Sequence, residues 1–195
     1  YNVSRMKLNA FGDIGCYTLG MLPPLNGLHT CICMGAGISV AHGMDKALGR
    51  EGTKKSLAVI GDSTFIHSGI TGLINIVYNK GTSTVVILDN SITAMTGRQD
   101  HPCTGKTLKG ENTKKIDIAA LCKSIGVDDI VTVNAFDVKA IRDALKNALA
   151  KDEPSVVIVK GMCTLIDRRK KISYAVSSDK CVKCWLCLKV GCPAI

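Results

Sequence analysis

The sequence contains few aromatic residues, with three Phe, four Tyr and one Trp among 195 residues. Aromatic residues are not interleaved with the basic clusters, so the pattern expected of a nucleic-acid-binding surface is missing. No run of about 18 apolar residues is present, and no membrane-spanning helix is predicted. The chain does not open on a basic segment followed by an apolar core, so no secretory signal is predicted. We therefore expect a cytoplasmic protein without nucleic acid or membrane partners.

Cysteine, by contrast, is abundant, with ten residues, and 46% of the chain is hydrophobic against 21% charged residues. This composition is typical of a globular protein. A secreted disulfide scaffold would also be rich in cysteine, but a buried sheet core without a signal favours a reducing cytosol, where clustered cysteines are more often metal ligands. The chain begins with Tyr1 and stops three residues after Cys192, and we expect it to be a fragment of a longer protein.

The formal net charge is +9, and much of it comes from two basic segments. Lys106, Lys109, Lys114 and Lys115 make up the first segment, and residues 168–171 the second. Solvated loops are the favoured interpretation. The alternative is attraction for an anionic partner, such as an acidic ferredoxin or the phosphates of coenzyme A.

Two short apolar runs, 57–60 and 85–88, are rich in β-branched residues. Such runs are typical of strands that are buried on both faces of a parallel sheet. The first run is followed by Gly61, Asp62, Ser63 and Thr64, and the second leads to Asn90. Further strands and helices alternate along the chain to residue 159. The pattern predicts an α/β fold with a doubly wound, mostly parallel sheet.

The residues that follow these two runs suit ligand binding, because ligands bind at the carboxyl ends of strands in open α/β sheets. Gly61 allows the backbone to approach a ligand closely. Ser63 and Thr64 can cap a helix whose free N–H groups would bind phosphate oxygens. The carboxylate of Asp62, the amide oxygen of Asn90 and a backbone carbonyl would suit Mg²⁺. On its own, however, Gly-Asp-Ser is equally compatible with an ordinary strand-to-helix turn.

This pattern resembles the thiamine diphosphate enzymes, whose signature is Gly-Asp-Gly or Gly-Asp-Ser followed by Asn at a spacing like that between Asp62 and Asn90. The resemblance implies that thiamine diphosphate and Mg²⁺ are cofactors, with the metal bridging cofactor and protein. It also implies that Asp62 and Asn90 are side-chain ligands of the metal and that Ile92 supplies a carbonyl ligand.

Two further segments supply more candidates for cofactor binding. Cys16 lies in the distinctive segment 12–17, and we expect it to be a core or pocket residue rather than a ligand. Gly35 and Gly37 precede a helix of small residues, which allows either close helix-to-sheet packing or close approach to a cofactor; a dinucleotide fingerprint is weak here because the third glycine is missing. The resemblance implies that Met34 is wedged under the bent cofactor, and ordinary core filling is the alternative.

The loop after Asn90 is dense in hydrogen-bonding side chains. Asn90 followed by Thr96, Gly97 and Gln99 resembles the segment of 2-oxoacid:ferredoxin oxidoreductases that wraps the diphosphate and the metal, which makes Thr96 a cofactor-binding candidate. Arg98 or His101 would be able to face a substrate carboxylate, but we expect both to lie in a solvated loop.

The C-terminal segment contains Cys181, Cys184, Cys187 and Cys192, and the last is followed by Pro. This pattern resembles bacterial ferredoxins and implies a [4Fe-4S] cluster, although the last gap is four residues rather than three. A zinc site is the structural alternative. We expect a thiamine diphosphate-binding domain over 1–166, a basic linker over 167–179 and a partial ferredoxin-like segment over 180–195.

Over nearly its whole length the chain resembles the large-subunit (alpha) family of indolepyruvate:ferredoxin oxidoreductases. The resemblance implies oxidative decarboxylation of a 2-oxoacid, an arylpyruvate such as indolepyruvate, to an acyl-CoA, with electrons passed to ferredoxin. The implied partners are a smaller beta subunit, ferredoxin and coenzyme A.

In that family the glutamate that activates the cofactor belongs to another domain, so we assign no catalytic residue here and expect this piece alone to be inactive. Two alternatives are a non-oxidative thiamine diphosphate-dependent 2-oxoacid decarboxylase and an iron–sulfur electron-transfer protein.

Overall fold

A six-stranded sheet forms the centre of the computed structural model, which describes residues 1–168 and 175–190. Its strands are β1 (Asn9–Gly12), β2 (Thr30–Cys31), β3 (Ser56–Gly61), β4 (Thr84–Asp89), β5 (Asp129–Asn134) and β6 (Ser155–Lys160). They lie in the order β2-β1-β3-β4-β6-β5, and every neighbouring pair is parallel. The predicted doubly wound, mostly parallel α/β fold is confirmed.

Helices connect the strands. They are α1 (Asn2–Arg5), α2 (Ala36–Thr53), α3 (Asp62–Thr64), α4 (Ile70–Tyr78), α5 (Ile118–Ile125) and α6 (Val138–Ala150). A π-helical segment, Phe65–Gly69, joins α3 to α4, and short 3₁₀ helices cover Cys16–Met21 and Leu188–Val190. Among the residues that the structure describes, no helix combines the length and hydropathy needed to cross a membrane.

Both faces of the sheet are covered by apolar side chains. Because successive strand residues point to opposite faces, Ala58 and Ile60 join one buried cluster while Leu57 and Val59 join the other. The first cluster includes side chains from α2, α4 and α5, and the second includes side chains from α6. Coverage of both faces explains why the central strands read as continuous apolar runs rather than as alternating patterns.

Helix termini follow the sequence signals in most places. Asp117 and Asp137 cap α5 and α6 through side-chain hydrogen bonds, and Gly126 ends α5 with φ of 106°. Gly81 follows the end of α4 closely, but Lys80 is the residue that takes the left-handed conformation there, with φ of 50°. Gly81 is required for a different reason, since a Cβ there would lie 2.8 Å from Nδ1 of His42.

The order of the strands creates a crevice between β1 and β3. From β1 the chain runs outward to β2 at the edge and then returns to β3 on the opposite side of β1. Connections therefore leave these two strands in opposite directions, which is where ligands bind in open α/β sheets. β1 ends at Gly12 and is followed by Asp13, and β3 ends at Gly61 and is followed by Asp62.

Candidate functional site

A cavity of about 460 Å³ opens at the carboxyl ends of the central strands. Its volume is within the range of small-molecule and cofactor sites, which is roughly 300 to 1,000 Å³. Its walls come from the segments that follow β1, β3 and β4, together with residues near the end of β6. The cavity therefore occupies the place that the strand order marks out for a ligand.

Most of the predicted cofactor-binding residues line this cavity, although they are far apart in the sequence. They are Cys16, Met34, Gly61, Asp62, Ser63, Thr64, Asn90, Ile92 and Thr96. Gly35 and Gly37 are not among the lining residues. The structure thus brings together the two predicted side-chain metal ligands, Asp62 and Asn90, at one cavity. Their binding of metal or cofactor stays a prediction.

Gly35 and Gly37 pack the start of α2 against the end of β1. Their N–H groups donate to Oδ2 of Asp13, at 2.7 Å from Gly35 and 3.5 Å from Gly37. A Cβ at Gly37 would lie 2.9 Å from the carbonyl oxygen of Gly12, and one at Gly35 would lie 2.4 Å from Oγ of Ser68. Of the two roles that the sequence allowed for these glycines, the structure shows close helix-to-strand packing.

The Asp62 carboxylate is held in a fixed position at the end of β3. Its side chain is buried, with the residue 2% exposed. Oδ1 accepts a hydrogen bond from the Ser63 N–H at 2.8 Å, and Oδ2 accepts one from the Ser91 N–H at 2.9 Å. A carboxylate offers about four acceptor positions, so these two bonds leave room for a further ligand.

The chain turns sharply after β4, at Asn90 and Ser91. Oδ1 of Asn90 accepts a hydrogen bond from the Ile92 N–H at 3.2 Å, which is the geometry of an Asx turn. Ser91 takes φ of 60°, and its N–H points at the Asp62 carboxylate. This turn places Asn90 next to the end of β3, so a carboxylate and an amide oxygen converge from neighbouring strands.

The loop that follows is closed on itself. Thr93 and Gln99 exchange backbone hydrogen bonds of 3.0 and 3.1 Å, and Oγ1 of Thr96 lies 2.8 Å from Oε1 of Gln99. Oγ1 of Thr93 lies 2.7 Å from Oγ of Ser63. The loop is thereby attached to the first turn after β3, on the wall of the cavity.

His101 is buried, although the sequence predicts a solvated position for it. The expectation of a solvated position holds for Arg98, which is exposed, but is wrong for His101, which is 8% exposed. Nε2 of His101 lies 3.4 Å from Oδ2 of Asp62. No local signal in the sequence reveals this burial, because it results from the loop folding back onto β3.

Asp13 and Tyr17 are two further residues of this site to which sequence reasoning gave no role. Asp13 is fully buried and ties the end of β1 to the start of α2 through Gly35 and Gly37. Oη of Tyr17 accepts a hydrogen bond of 3.2 Å from the N–H of Gly61. Burial, and secondly the Asp13 carboxylate, raise the pKa of Tyr17 well above its usual value. A usable signal existed, since Gly12-Asp13 repeats the Gly61-Asp62 pair at the end of a neighbouring strand.

The three glutamates of the chain, Glu51, Glu111 and Glu153, are all exposed, and none of them lines the cavity. The described residues therefore place no glutamate beside the predicted cofactor position.

The described part of the cysteine-rich segment, which ends at residue 190, contains no assembled metal site. Cys181, Cys184 and Cys187 are exposed, and Cys192 lies outside the described residues. Within residues 1–168 and 175–190, no three His, Cys, Asp or Glu side chains lie close enough together to hold a metal ion. The predicted ligand roles of these cysteines therefore rest on the sequence alone.

Comparison with known proteins gives a family match and several relatives. Residues 13–159 match the family of thiamine pyrophosphate enzymes, by their C-terminal TPP-binding domain. The chain is 41% identical over 201 aligned residues to the indolepyruvate oxidoreductase subunit IorA of Thermococcus kodakarensis, covering 94% of this chain and 31% of that protein. It is 43% identical over 190 residues to the IorA subunit of Archaeoglobus fulgidus, covering 94% and 30%. The chain thus spans about a third of the length of the curated relatives it matches.

Solved structures show the same fold. A 2-oxoglutarate:ferredoxin oxidoreductase from Magnetococcus marinus, with 2-oxoglutarate, coenzyme A and succinyl-CoA bound, aligns with a TM-score of 0.68 at 18% identity, covering 81% of this chain and 55% of that one. A benzoylformate decarboxylase from Polynucleobacter necessarius aligns with a TM-score of 0.56 at 14% identity, covering 81% and 32%. At these identities the likeness concerns the fold alone.

Proposed function

The chain belongs to the thiamine pyrophosphate enzymes, as their C-terminal TPP-binding domain, and from this premise we propose that it is the cofactor-binding domain of a 2-oxoacid:ferredoxin oxidoreductase. The reaction is the oxidative decarboxylation of a 2-oxoacid to an acyl-CoA, with electrons passed to ferredoxin. The observation that supports this most directly is the convergence of Asp62 and Asn90 on one cavity at the carboxyl ends of β3 and β4.

The donor set of the cavity fits a magnesium ion and a diphosphate. Asp62 offers a carboxylate with acceptor positions to spare, and Asn90 offers an amide oxygen; hard oxygen donors of this kind suit Mg²⁺. These two side chains, with the carbonyl of Ile92, would hold the metal. Ser63 and Thr64, in the first turn after β3, would face the diphosphate, and Cys16, Met34 and Thr96 would complete the walls. When bound, thiamine diphosphate supplies an electron sink for decarboxylation of the substrate.

The protein itself positions the Asp62 carboxylate and holds the loop after β4 against the cavity. The hydrogen bonds from Ser63 and Ser91 fix the Asp62 carboxylate before any ligand arrives, which reduces the ordering cost of binding. The attachment of Thr93 to Ser63 keeps the loop after β4 against the cavity. Because no glutamate lines the cavity, we infer that this chain alone is inactive and that the activating group comes from another domain.

The substrate and the partners are finer parts of the proposal. The names of the relatives from Thermococcus kodakarensis and Archaeoglobus fulgidus support indolepyruvate, or another arylpyruvate, as the 2-oxoacid. The name "subunit" in these relatives supports a smaller beta subunit as partner, and the bound coenzyme A of the Magnetococcus enzyme supports that co-substrate. We place the protein in the cytoplasm, with ferredoxin as electron acceptor.

For the domain arrangement we propose the cofactor-binding domain over 1–166, a basic linker over 167–179 and the start of a ferredoxin-like module over 180–195. The spacing of Cys181, Cys184, Cys187 and Cys192 supports a [4Fe-4S] cluster in the complete protein. Iron and sulfide analysis after anaerobic purification tests this part, and bound zinc in place of iron would contradict it.

Titration of thiamine diphosphate into the full-length protein by calorimetry, with and without Mg²⁺, tests the site. We expect Asp62→Ala and Asn90→Ala each to abolish the Mg²⁺-dependent binding, because each removes a ligand of the metal. Asp117→Ala is the matched control, since Asp117 caps α5 and does not line the cavity. Unchanged binding in Asp62→Ala would contradict the proposed site.

Turnover by the complete complex tests the reaction. With ferredoxin and coenzyme A present, indolepyruvate should be oxidised faster than pyruvate. Decarboxylation without reduction of ferredoxin would instead indicate the non-oxidative alternative, and reduction of ferredoxin without bound thiamine diphosphate would indicate a pure electron-transfer protein.

A further inference from the structure

The contact between His101 and Asp62 joins two buried side chains that are distant in the sequence. The side chains are 5% and 3% exposed, and Nε2 of His101 lies 3.4 Å from Oδ2 of Asp62. Nε2 is buried and makes no hydrogen bond within the described part of the chain that meets strict geometry. Leaving a buried imidazole nitrogen unpaired is costly, and the carboxylate of Asp62 is the polar group that faces it.

The other ring nitrogen indicates where the proton of this imidazole lies. Nδ1 of His101 faces the backbone N–H of Cys103 at 3.4 Å and accepts from it. In a neutral imidazole one nitrogen accepts and the other donates, so the proton belongs on Nε2. The Nε2–H group is therefore on the side of the ring that lies 3.4 Å from Oδ2 of Asp62.

His101 is itself held firmly. The N–H of Thr104 donates to the carbonyl oxygen of His101 at 2.8 Å, and Oγ1 of Thr104 lies 2.9 Å from the same oxygen. Oγ1 of Thr104 also lies 3.2 Å from the N–H of His101. This tight turn, His101 to Thr104, fixes the backbone of His101, and the N–H of Cys103 holds the ring through Nδ1.

A second carboxylate, that of Asp89, lies close to Asp62, so Asp62 needs a donor of its own. The N–H of Ser91 is shared between Oδ2 of Asp62, at 2.9 Å, and Oδ1 of Asp89, at 3.1 Å. Lys160 balances Asp89, with Nζ 3.7 Å from its Oδ2. On the side of Asp62, the side-chain donor that faces Oδ2 is His101. Without it, the two carboxylates would face each other across one shared N–H.

We propose that His101 is a positioning residue for Asp62: its Nε2–H group orients the carboxylate into the cavity and anchors the loop after β4 to the end of β3. The proposal rests on the proposed function, in which Asp62 is a ligand of Mg²⁺. Groups that hydrogen-bond to a ligating residue fix its orientation, and their loss weakens metal affinity by about 10- to 100-fold.

The test compares three variants of the full-length protein by calorimetry, with Mg²⁺ titrated in the presence of saturating thiamine diphosphate. His101→Leu has a similar volume and no donor, so we expect it to weaken Mg²⁺ affinity by about 10- to 100-fold. His101→Gln places an amide N–H near the position of Nε2 and should restore affinity to within a few-fold. His101→Asn, whose shorter amide does not reach that position, should behave like His101→Leu and replaces it if the leucine variant fails to fold.

Two controls separate the outcomes. His67→Leu, at an exposed position, should leave Mg²⁺ affinity unchanged. If His101→Leu and His101→Asn bind Mg²⁺ like the wild type while Asp62→Ala does not bind it, the positioning role is wrong and the proposed function stands. If Asp62→Ala also binds Mg²⁺ normally, the proposed metal site itself is wrong. A loss of thermal stability without a change in Mg²⁺ affinity would mean that His101 is only structural, and would overturn the proposal.

Discussion

Oδ2 of Asp13 accepts a hydrogen bond of 2.7 Å from the backbone N–H of Gly35, and this bond ties the end of β1 to the N-terminus of α2. The two residues are far apart in the sequence, and both are buried. Met34, which lines the cavity at the carboxyl ends of the strands, directly precedes Gly35, so the same bond fixes one wall of that cavity.

From this arrangement we expect Asp13→Ala to lower the free energy of unfolding by about 2 to 3 kcal/mol, since hydrogen bonds to a charged acceptor are worth more than neutral ones and buried N–H groups would lose their partner. Urea denaturation measures the change. Asp117→Ala removes a more exposed helix cap and should cost only about 1 kcal/mol. Equal losses in both variants would contradict the special position of Asp13.

We expect substitution of two glycines in α2 by alanine to have opposite effects on the stability of the protein. A Cβ at Gly37 would lie 2.9 Å from the carbonyl oxygen of Gly12 and 3.0 Å from that of Phe11, and backbone atoms cannot move aside easily. A Cβ at Gly43 would meet nothing within 4 Å. We expect Gly43→Ala to stabilise the protein by about 0.5 to 1 kcal/mol, because alanine loses less backbone entropy in a helix.

Gly37→Ala should instead destabilise the protein and shift Mg²⁺-dependent cofactor binding, because α2 must move away from β1. Thermal unfolding of the two variants under identical conditions measures the contrast. A stabilising Gly37→Ala would show that α2 does not pack against β1 as closely as described.

Tyr17 is expected to remain un-ionised in alkaline solution. Burial raises its pKa, and the Asp13 carboxylate raises it further, so the phenol stays neutral where ordinary tyrosines ionise at about pH 10. Absorbance titration between about pH 9 and pH 11 should therefore give the same amplitude for the wild type and for Tyr17→Phe. The variant should also lose about 1 kcal/mol of stability, because the N–H of Gly61 loses its acceptor. A smaller titration amplitude in the variant would mean that Tyr17 ionises normally.

We expect the buried thiols of Cys103 and Cys122 to make the protein less stable at high pH. Burial, and secondly Asp62, raise the pKa of Cys103 from 9.0 to about 11, while burial and then Asp117 raise that of Cys122 to about 12. Above pH 9 the unfolded chain releases these protons while the folded chain keeps them, so the unfolded state binds fewer protons and stability falls as pH rises. The contribution is fully present below pH 9 and declines towards pH 11 and above.

Urea denaturation at a series of pH values under reducing conditions measures this slope. Cys103→Ala and Cys122→Ala should each flatten it, whatever their effect on stability at neutral pH. Cys33→Ala, at an exposed position, is the control and should keep the slope of the wild type. A slope that neither buried substitution changes would contradict the assignment.

Much of the fold and the site follows from local patterns. The apolar runs at 57–60 and 85–88 form β3 and β4, and the capping residues Asp117 and Asp137 begin helices as the sequence indicates. Strand period, apolar content and capping chemistry act over a few residues, so they can be read from the sequence. The same holds for Asp62 and Asn90, because strands of a parallel sheet end at a common edge and their terminal side chains must meet there.

Other features depend on contacts between distant parts of the chain. Gly37 packs on the end of β1, Gly35 packs against Ser68, and neither lines the cavity. His101 is buried against Asp62 although its surroundings in the sequence are polar. Nothing local distinguishes such a histidine from one in a solvated loop.

The chain therefore encodes the parallel sheet and the meeting of oxygen donors at its edge in short, readable segments. The groups that support those donors are determined only when the loop after β4 has folded back and α2 has docked on β1. The reason is physical: propensity and periodicity act between neighbours in the chain, whereas burial and hydrogen bonding of a side chain depend on whatever the completed fold brings next to it.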